Sequence, residues 1–149
     1  MKRLLLYMSA LALLLMADRG SDIGSLHPVE LVQLRQWNGL LILETDTGDR
    51  GWGLSIDQAV AKLKETTPGQ IYLDTTEFLL LEEGVEAYLP HLAEYLKKKT
   101  RVAYAAADVN LQNAADYLRI HKPSELINKG RKPVEKLVFE GGKLNLKKF

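Results

Sequence analysis

No cysteine occurs among the 149 residues, which excludes disulfide staples, thiolate metal sites and a cysteine nucleophile. Histidine is scarce as well. His27, His91 and His121 fall in three separate segments, with no H-x-x-x-H or H-E-x-x-H pair to set two of them on one helical face, so a zinc site would have to be assembled by tertiary structure. A G-x-S-x-G nucleophile elbow is missing too. Neither sign of charge dominates: twenty Lys and Arg against nineteen Asp and Glu leave +1. That balance excludes a polybasic nucleic-acid binder and a highly charged disordered chain. With 46% hydrophobic residues, the chain suits one compact domain and is too short for two ordinary ones.

The longest uncharged stretch is at the start. Met1-Lys2-Arg3 precedes fourteen residues, Leu4 to Ala17, without a charge, the pattern of a signal-sequence n-region and h-region. As a helix this run spans about 21 Å, short of the roughly 30 Å of a bilayer core, so export is a better reading than a conventional spanning helix. Leu15-Met16-Ala17 offers a small residue before a cut, but Leu15 stands where an A-x-A site wants a second one. The same stretch looks like a bacterial lipoprotein box in which Asp18 replaces the lipidated Cys. Without that thiol the product is either cleaved and released or retained by an uncut signal. Residues 1–17 therefore read as a signal or anchor, 18–27 as a linker with Gly24, and 28–149 as the domain.

Beyond Ala17 the chain carries eighteen Lys and Arg against nineteen Asp and Glu. The last twenty-one residues hold an excess of +5, interleaved with apolar residues as on a solvated hairpin face.

The expected elements follow from pattern. Val29 to Trp37 and Leu40 to Asp46 flank Asn38-Gly39, which supplies the two positive-φ residues of a type I′ turn. The apolar run Leu40-Leu41-Ile42-Leu43 predicts a strand inside the sheet. A Gly-rich loop, Thr45 to Gly53, leads to a helix that opens on the Ser55/Gln58 pair and carries Ile56, Ala59, Val60 and Leu63 on one face. Pro68-Gly69 ends it, and Gln70 to Leu73 reads as a short buried strand. A second helix is expected with Val85, Tyr88, Leu89, Leu92 and Leu96 inward. Arg101 to Ala106 is a strand, and Asn110 precedes a helix with Leu111, Ala114, Ala115 and Leu118 facing the core. Val134 to Glu140 and Lys143 to Phe149 form a hairpin about Gly141-Gly142. Glu77 to Glu82 fits a strand or a helical turn equally. The sum is an α/β, three-layer-like sandwich with a mixed sheet in the order ββ-α-β-α-β-α-ββ.

Several of these segments together resemble a known family. Asp22-Ile23-Gly24-Ser25-Leu26 leads into a strand pair, Ser55-x-x-x-Ala59-x-x-x-Leu63 lies on a helix, and Pro68-Gly69-Gln70-Ile71-Tyr72-Leu73 follows. Leu79-Leu80, Gly84, Leu92-x-x-Tyr95-Leu96 and Arg101-Val102 continue the pattern, which is similar to the N-terminal domain of the Ger(x)C lipoproteins. These are the C subunits of spore germinant receptors. The resemblance implies an extracytoplasmic, membrane-held, non-enzymatic component that works with membrane-embedded or extracytoplasmic protein partners. Asp18 in place of the lipid-bearing Cys, Asp74-Thr75 where a small residue and His are frequent, and the missing later domains depart from the family.

Candidate chemistry is confined to one region. Asp46 and Asp74, each expected at a strand end, could converge at the C-terminal edge of the sheet, where open α/β sheets bind ligands. With Asp49 and Thr76 they could hold a divalent cation or act as acid and base, and Trp52 could stack on a ligand. Turn chemistry explains the same residues as caps and Asx-turns. The segment Gly48-Asp49-Arg50-Gly51-Trp52-Gly53 is neither a G-x-G-x-x-G nor a Walker loop, and its carboxylates would repel a phosphate. The expectation is a non-enzymatic exported accessory or binding domain with no cofactor, no nucleic-acid partner and membrane contact through its N-terminal segment; the alternatives are a secreted enzyme or metal-binding domain that uses Asp46, Asp49 and Asp74, and a protein-interaction adaptor with an exposed hairpin edge.

Overall fold

The computed structural model describes residues 2–17, 26–129 and 131–149. Two short strands, β1 (Leu26–Pro28), which contains His27, and β5 (Gln70–Tyr72), pair with each other in a small separate sheet. The other strands are β2 (Leu31–Trp37), β3 (Leu40–Thr45), β4 (Arg50–Gly53), β6 (Phe78–Leu81), β7 (Arg101–Ala105), β8 (Glu135–Glu140) and β9 (Lys143–Lys148). They form one seven-stranded mixed sheet in the order β4-β3-β2-β6-β7-β8-β9. The four middle strands are parallel, with antiparallel strands joined at each side.

The two hairpin turns expected from the sequence are the ones their residues dictate. Asn38 (φ 49°) and Gly39 (φ 79°) reverse the chain between β2 and β3, as Gly141 and Gly142 do between β8 and β9, positive φ being cheap only for such residues.

Helices cover the two faces unequally. On one face α2 (Ile56–Thr66) and the four-residue α3 (Leu89–Leu92) pack Leu63, Leu89 and Leu92 on Val32, Leu34, Leu43, Leu79 and Val102. On the other, α4 (Leu111–Ile120) packs Leu111, Ala114, Ala115 and Leu118 on Leu31, Phe78, Leu80, Ala103 and Ala105. The result is the expected α/β three-layer arrangement. Ser55 caps α2 by accepting from the Gln58 N–H at 3.2 Å, while the Gln58 side chain accepts from the Leu54 N–H at 3.0 Å. Asn110 caps α4 by accepting from the Asn113 N–H at 2.9 Å.

Several expectations are corrected. Gln70–Tyr72 is a strand but lies outside the seven-stranded sheet. Ile71 and Leu73 are buried, yet β5 pairs only with β1 and Leu73 starts a 3-10 turn. The central strand is β6, Phe78–Leu81, whose four residues are all buried because helices lie on both sides. The Gly-rich stretch is not all loop, since Arg50–Gly53 is the edge strand β4. The second helix is mostly absent: a 3-10 turn at Glu86–Tyr88 and α3 present the expected Val85, Leu89, Leu92 and Leu96 to the core.

The N-terminal α1 (Lys2–Ala17) stands apart in character. Each side chain from Lys2 to Ala12 is exposed. Among the described residues no helix is long and apolar enough to cross a membrane. Most of the expected linker, residues 18–25, lies outside the described residues.

Candidate functional site

The aspartates come to the opposite edge from the one expected. Because β3 runs antiparallel to β2, its end lies beside the start of the parallel strands, with Thr45 opposite Val32. Asp46 follows directly, and its Oδ1 accepts from the N–H groups of Glu30 and Leu31, each at 3.1 Å. Burial pushes its carboxyl above the ordinary range, against the lowering effect of those two backbone bonds. Asp74 lies exposed in the 3-10 turn Leu73–Thr75 ahead of β6. Ligands of open α/β sheets bind at the other edge, beyond the carboxyl ends of the strands.

The neighbours are engaged in local structure. Asp49 Oδ2 accepts from the Thr47 hydroxyl at 2.7 Å, and its N–H donates to Thr45 Oγ1 at 3.2 Å. Thr75 ties the two sheets together, its hydroxyl donating to the Val29 carbonyl at 2.9 Å. Thr76 is fully buried, and its carbonyl accepts from the Thr100 hydroxyl at 2.9 Å. Among the described residues no group of three His, Asp or Glu is placed to hold a metal ion. His91 contacts Asp57 at 3.0 Å, linking α3 to α2, and His121 stacks on Tyr117 with ring centroids 4.6 Å apart. The Tyr95 hydroxyl, donating to the same Asp57 oxygen, is the main reason that carboxyl is held below its usual range.

Gly51 and Gly53 have a structural task. A Cβ on Gly51 would lie 2.2 Å from the Ala59 carbonyl oxygen and 2.5 Å from the Leu63 nitrogen, and one on Gly53 would meet Gln58 at 2.5 Å. Their missing side chains let α2 lie against β4, which removes the need for a phosphate to explain them.

The surface that stands out is the half of the sheet that α4 leaves open. Alternation along the strands puts Gln33, Arg35 and Trp37 of β2 on the α4 side, with Ile42 and Glu44 of β3 and Arg50 and Trp52 of β4. The register sets Arg35 opposite Ile42 and Ile42 opposite Trp52. A shallow cleft of about 450 Å³ lies here, lined by Arg35, Trp37, Leu40, Ile42, Arg50 and Trp52. Trp37 is 61% exposed, Trp52 42% and the following Leu54 72%.

Charge in this cleft is fixed in place. Glu44 receives Arg50 at 3.0 Å and Arg35 at 3.6 Å. Lys62 of α2 sets its ammonium 5.2 Å from the Trp52 ring centroid. Two arginines thus share the Glu44 carboxylate while Lys62 pairs with Glu65 at 3.4 Å, and the buried Arg35 Nε and Gln33 Oε1 lack a hydrogen-bond partner among the described residues. Of these residues the sequence had singled out only Trp52. The signal available was the period-two series Gln33, Arg35, Trp37, which marks a strand face that no helix needs to cover.

Neither a family model, a curated protein nor a solved structure matches the chain.

Proposed function

We propose that this chain is an exported, membrane-held domain that works by binding and not by catalysis, beside an extracytoplasmic or membrane-embedded protein partner. The observation that carries this reading is α1, in which every side chain from Lys2 to Ala12 is exposed and the run from Leu4 onward is uncharged. Such a helix, apolar on all sides, is stable against lipid and costly in water. The strand-end carboxylate Asp46 is committed to two backbone N–H groups, which favours a structural over an acid-base role. Resemblance to the Ger(x)C N-terminal domain supplies the setting, a germinant receptor at the outer face of the cytoplasmic membrane.

Fusion of the C-terminus to a reporter enzyme that is active only outside the cytoplasm tests this directly. Active fusion that sediments with membranes and resists alkaline carbonate is the expected result. An inactive fusion, or protein found wholly in the cytosol, overturns it.

A further inference from the structure

The two tryptophans of the chain, Trp37 and Trp52, belong to a single surface feature at one corner of the sheet. Trp37 ends β2 at the Asn38-Gly39 turn and pairs with Leu40, while Gly53, next to Leu54, pairs with Leu41. Trp37, Leu40, Trp52 and Leu54 therefore gather at the hairpin end of the β2-β3-β4 meander. Three of the four are strongly exposed. Around them stand Arg35, Arg50 and Lys62; Glu44 pairs with both arginines and Glu65 pairs with Lys62, which leaves the set with a positive excess of one charge.

We infer that this corner rests on the anionic lipid surface of the membrane that holds α1, with Trp37, Trp52 and Leu54 in the headgroup region and Arg35, Arg50 and Lys62 against lipid phosphates. The inference builds on the membrane-held reading. Tryptophan prefers the membrane interface, where an apolar ring and a polar N–H are both served. Basic side chains beside such rings add attraction to anionic headgroups, and the net positive set here has that complementarity.

Chain length permits the contact. Residues 18–25 join α1 to β1, and nine peptide steps between Ala17 and Leu26 reach at most about 30 Å. Strand β2, seven residues from Leu31 to Trp37, separates the entry edge from this corner by about 20 Å. Both α1 and the tryptophan corner can therefore meet one bilayer. A second copy of the chain is a poorer occupant, because a stable dimer buries roughly 800 Å² per partner and this corner is a few side chains wide.

Intrinsic fluorescence reads the corner directly, since it holds both tryptophans. Full-length protein is reconstituted into vesicles of phosphatidylcholine alone or mixed with phosphatidylglycerol, with brominated acyl chains as quencher. The expected result is blue-shifted and quenched emission in the anionic vesicles, with Trp37→Phe and Trp52→Phe each keeping part of the quenching. Combined Arg35→Gln and Arg50→Gln should raise the anionic lipid needed for half-maximal quenching about tenfold, and Trp37→Ser, at an exposed site, should reduce quenching without loss of near-ultraviolet dichroism. Protein that co-floats with vesicles while its emission stays unshifted and unquenched overturns the inference and leaves the membrane-held reading standing. Protein that does not co-float overturns both. Equal quenching in neutral and anionic vesicles overturns the role given to the arginines.

Discussion

Two single residues show how local chemistry decides between a site and a scaffold. At Gly51 the distances to backbone atoms of α2 leave no room for a methyl group, so Gly51→Ala should force the helix off the strand at a cost of about 1–3 kcal/mol in urea denaturation. Gly48, at φ 88° with open space around it, carries only the left-handed backbone penalty, and Gly48→Ala should cost about 1–2 kcal/mol. Asp46 makes the complementary case. Its folded-state carboxyl lies above the 3.8 of an unperturbed group, with burial the largest cause, so the ionised form is disfavoured by folding. Stability from this group therefore rises as pH falls through the raised value toward 3.8, and is constant once both states are ionised. Asp46→Asn keeps an acceptor for Glu30 and Leu31 without a charge to desolvate, and should stay within about 0.5 kcal/mol of the parent at pH 7 while losing that acid-side rise. Asp46→Ala strands two N–H groups and should cost about 1–3 kcal/mol. Thermal melting across pH 3–7, repeated with added Mg²⁺ or Ca²⁺, distinguishes these outcomes; a metal-dependent rise that Asp46→Asn abolishes would point to a cation site.

Elements were legible where periodicity or turn chemistry was unambiguous. Asn38-Gly39, Gly141-Gly142, the Ser55 cap and the faces of α2 and α4 all follow from residues within a few positions of each other. The middle of the chain was harder because Gln70 to Leu73 and Phe78 to Leu81 are both short apolar runs, and periodicity cannot tell which of two such runs reaches the sheet. What separates them is tertiary: Phe78 and Leu80 meet α4 while Leu79 and Leu81 meet the opposite core. The edge of the sheet that receives Asp46 was likewise hidden, since it depends on β3 running antiparallel to a parallel centre. The open corner was missed because exposure of Trp37 reflects how far α4 extends, which β2 alone does not encode. Leu80→Ala removes a fully buried side chain from the central strand and should cost about 2–5 kcal/mol. Trp37→Ala, beyond the reach of α4, should cost under about 0.5 kcal/mol. Equal losses in chemical denaturation would contradict this division of the sheet.

For the molecule as a whole, the contrast lies between a domain with a buried core and a helix whose apolar side chains from Leu4 to Ala12 are exposed. Helix α1 spans sixteen residues, about 24 Å at 1.5 Å per residue, so holding it in a bilayer asks for local thinning of the lipid around it. On the membrane-held reading, Lys2 and Arg3 would keep its start on the cytoplasmic side. Asp18 cannot carry a thioether lipid, so labelling with palmitate should leave the protein unlabelled, and on the membrane-held reading anchoring would depend on the uncut helix. Partial retention in the membrane is the expected state of the parent. Leu15→Ala sets small residues on both sides of Met16 and completes an A-x-A signal ending at Ala17, and should shift protein from the membrane fraction to the medium with Asp18 as its new N-terminus. If the parent is already released in full with that N-terminus, the membrane-held reading fails, and the tryptophan corner loses the bilayer that α1 would bring within its reach.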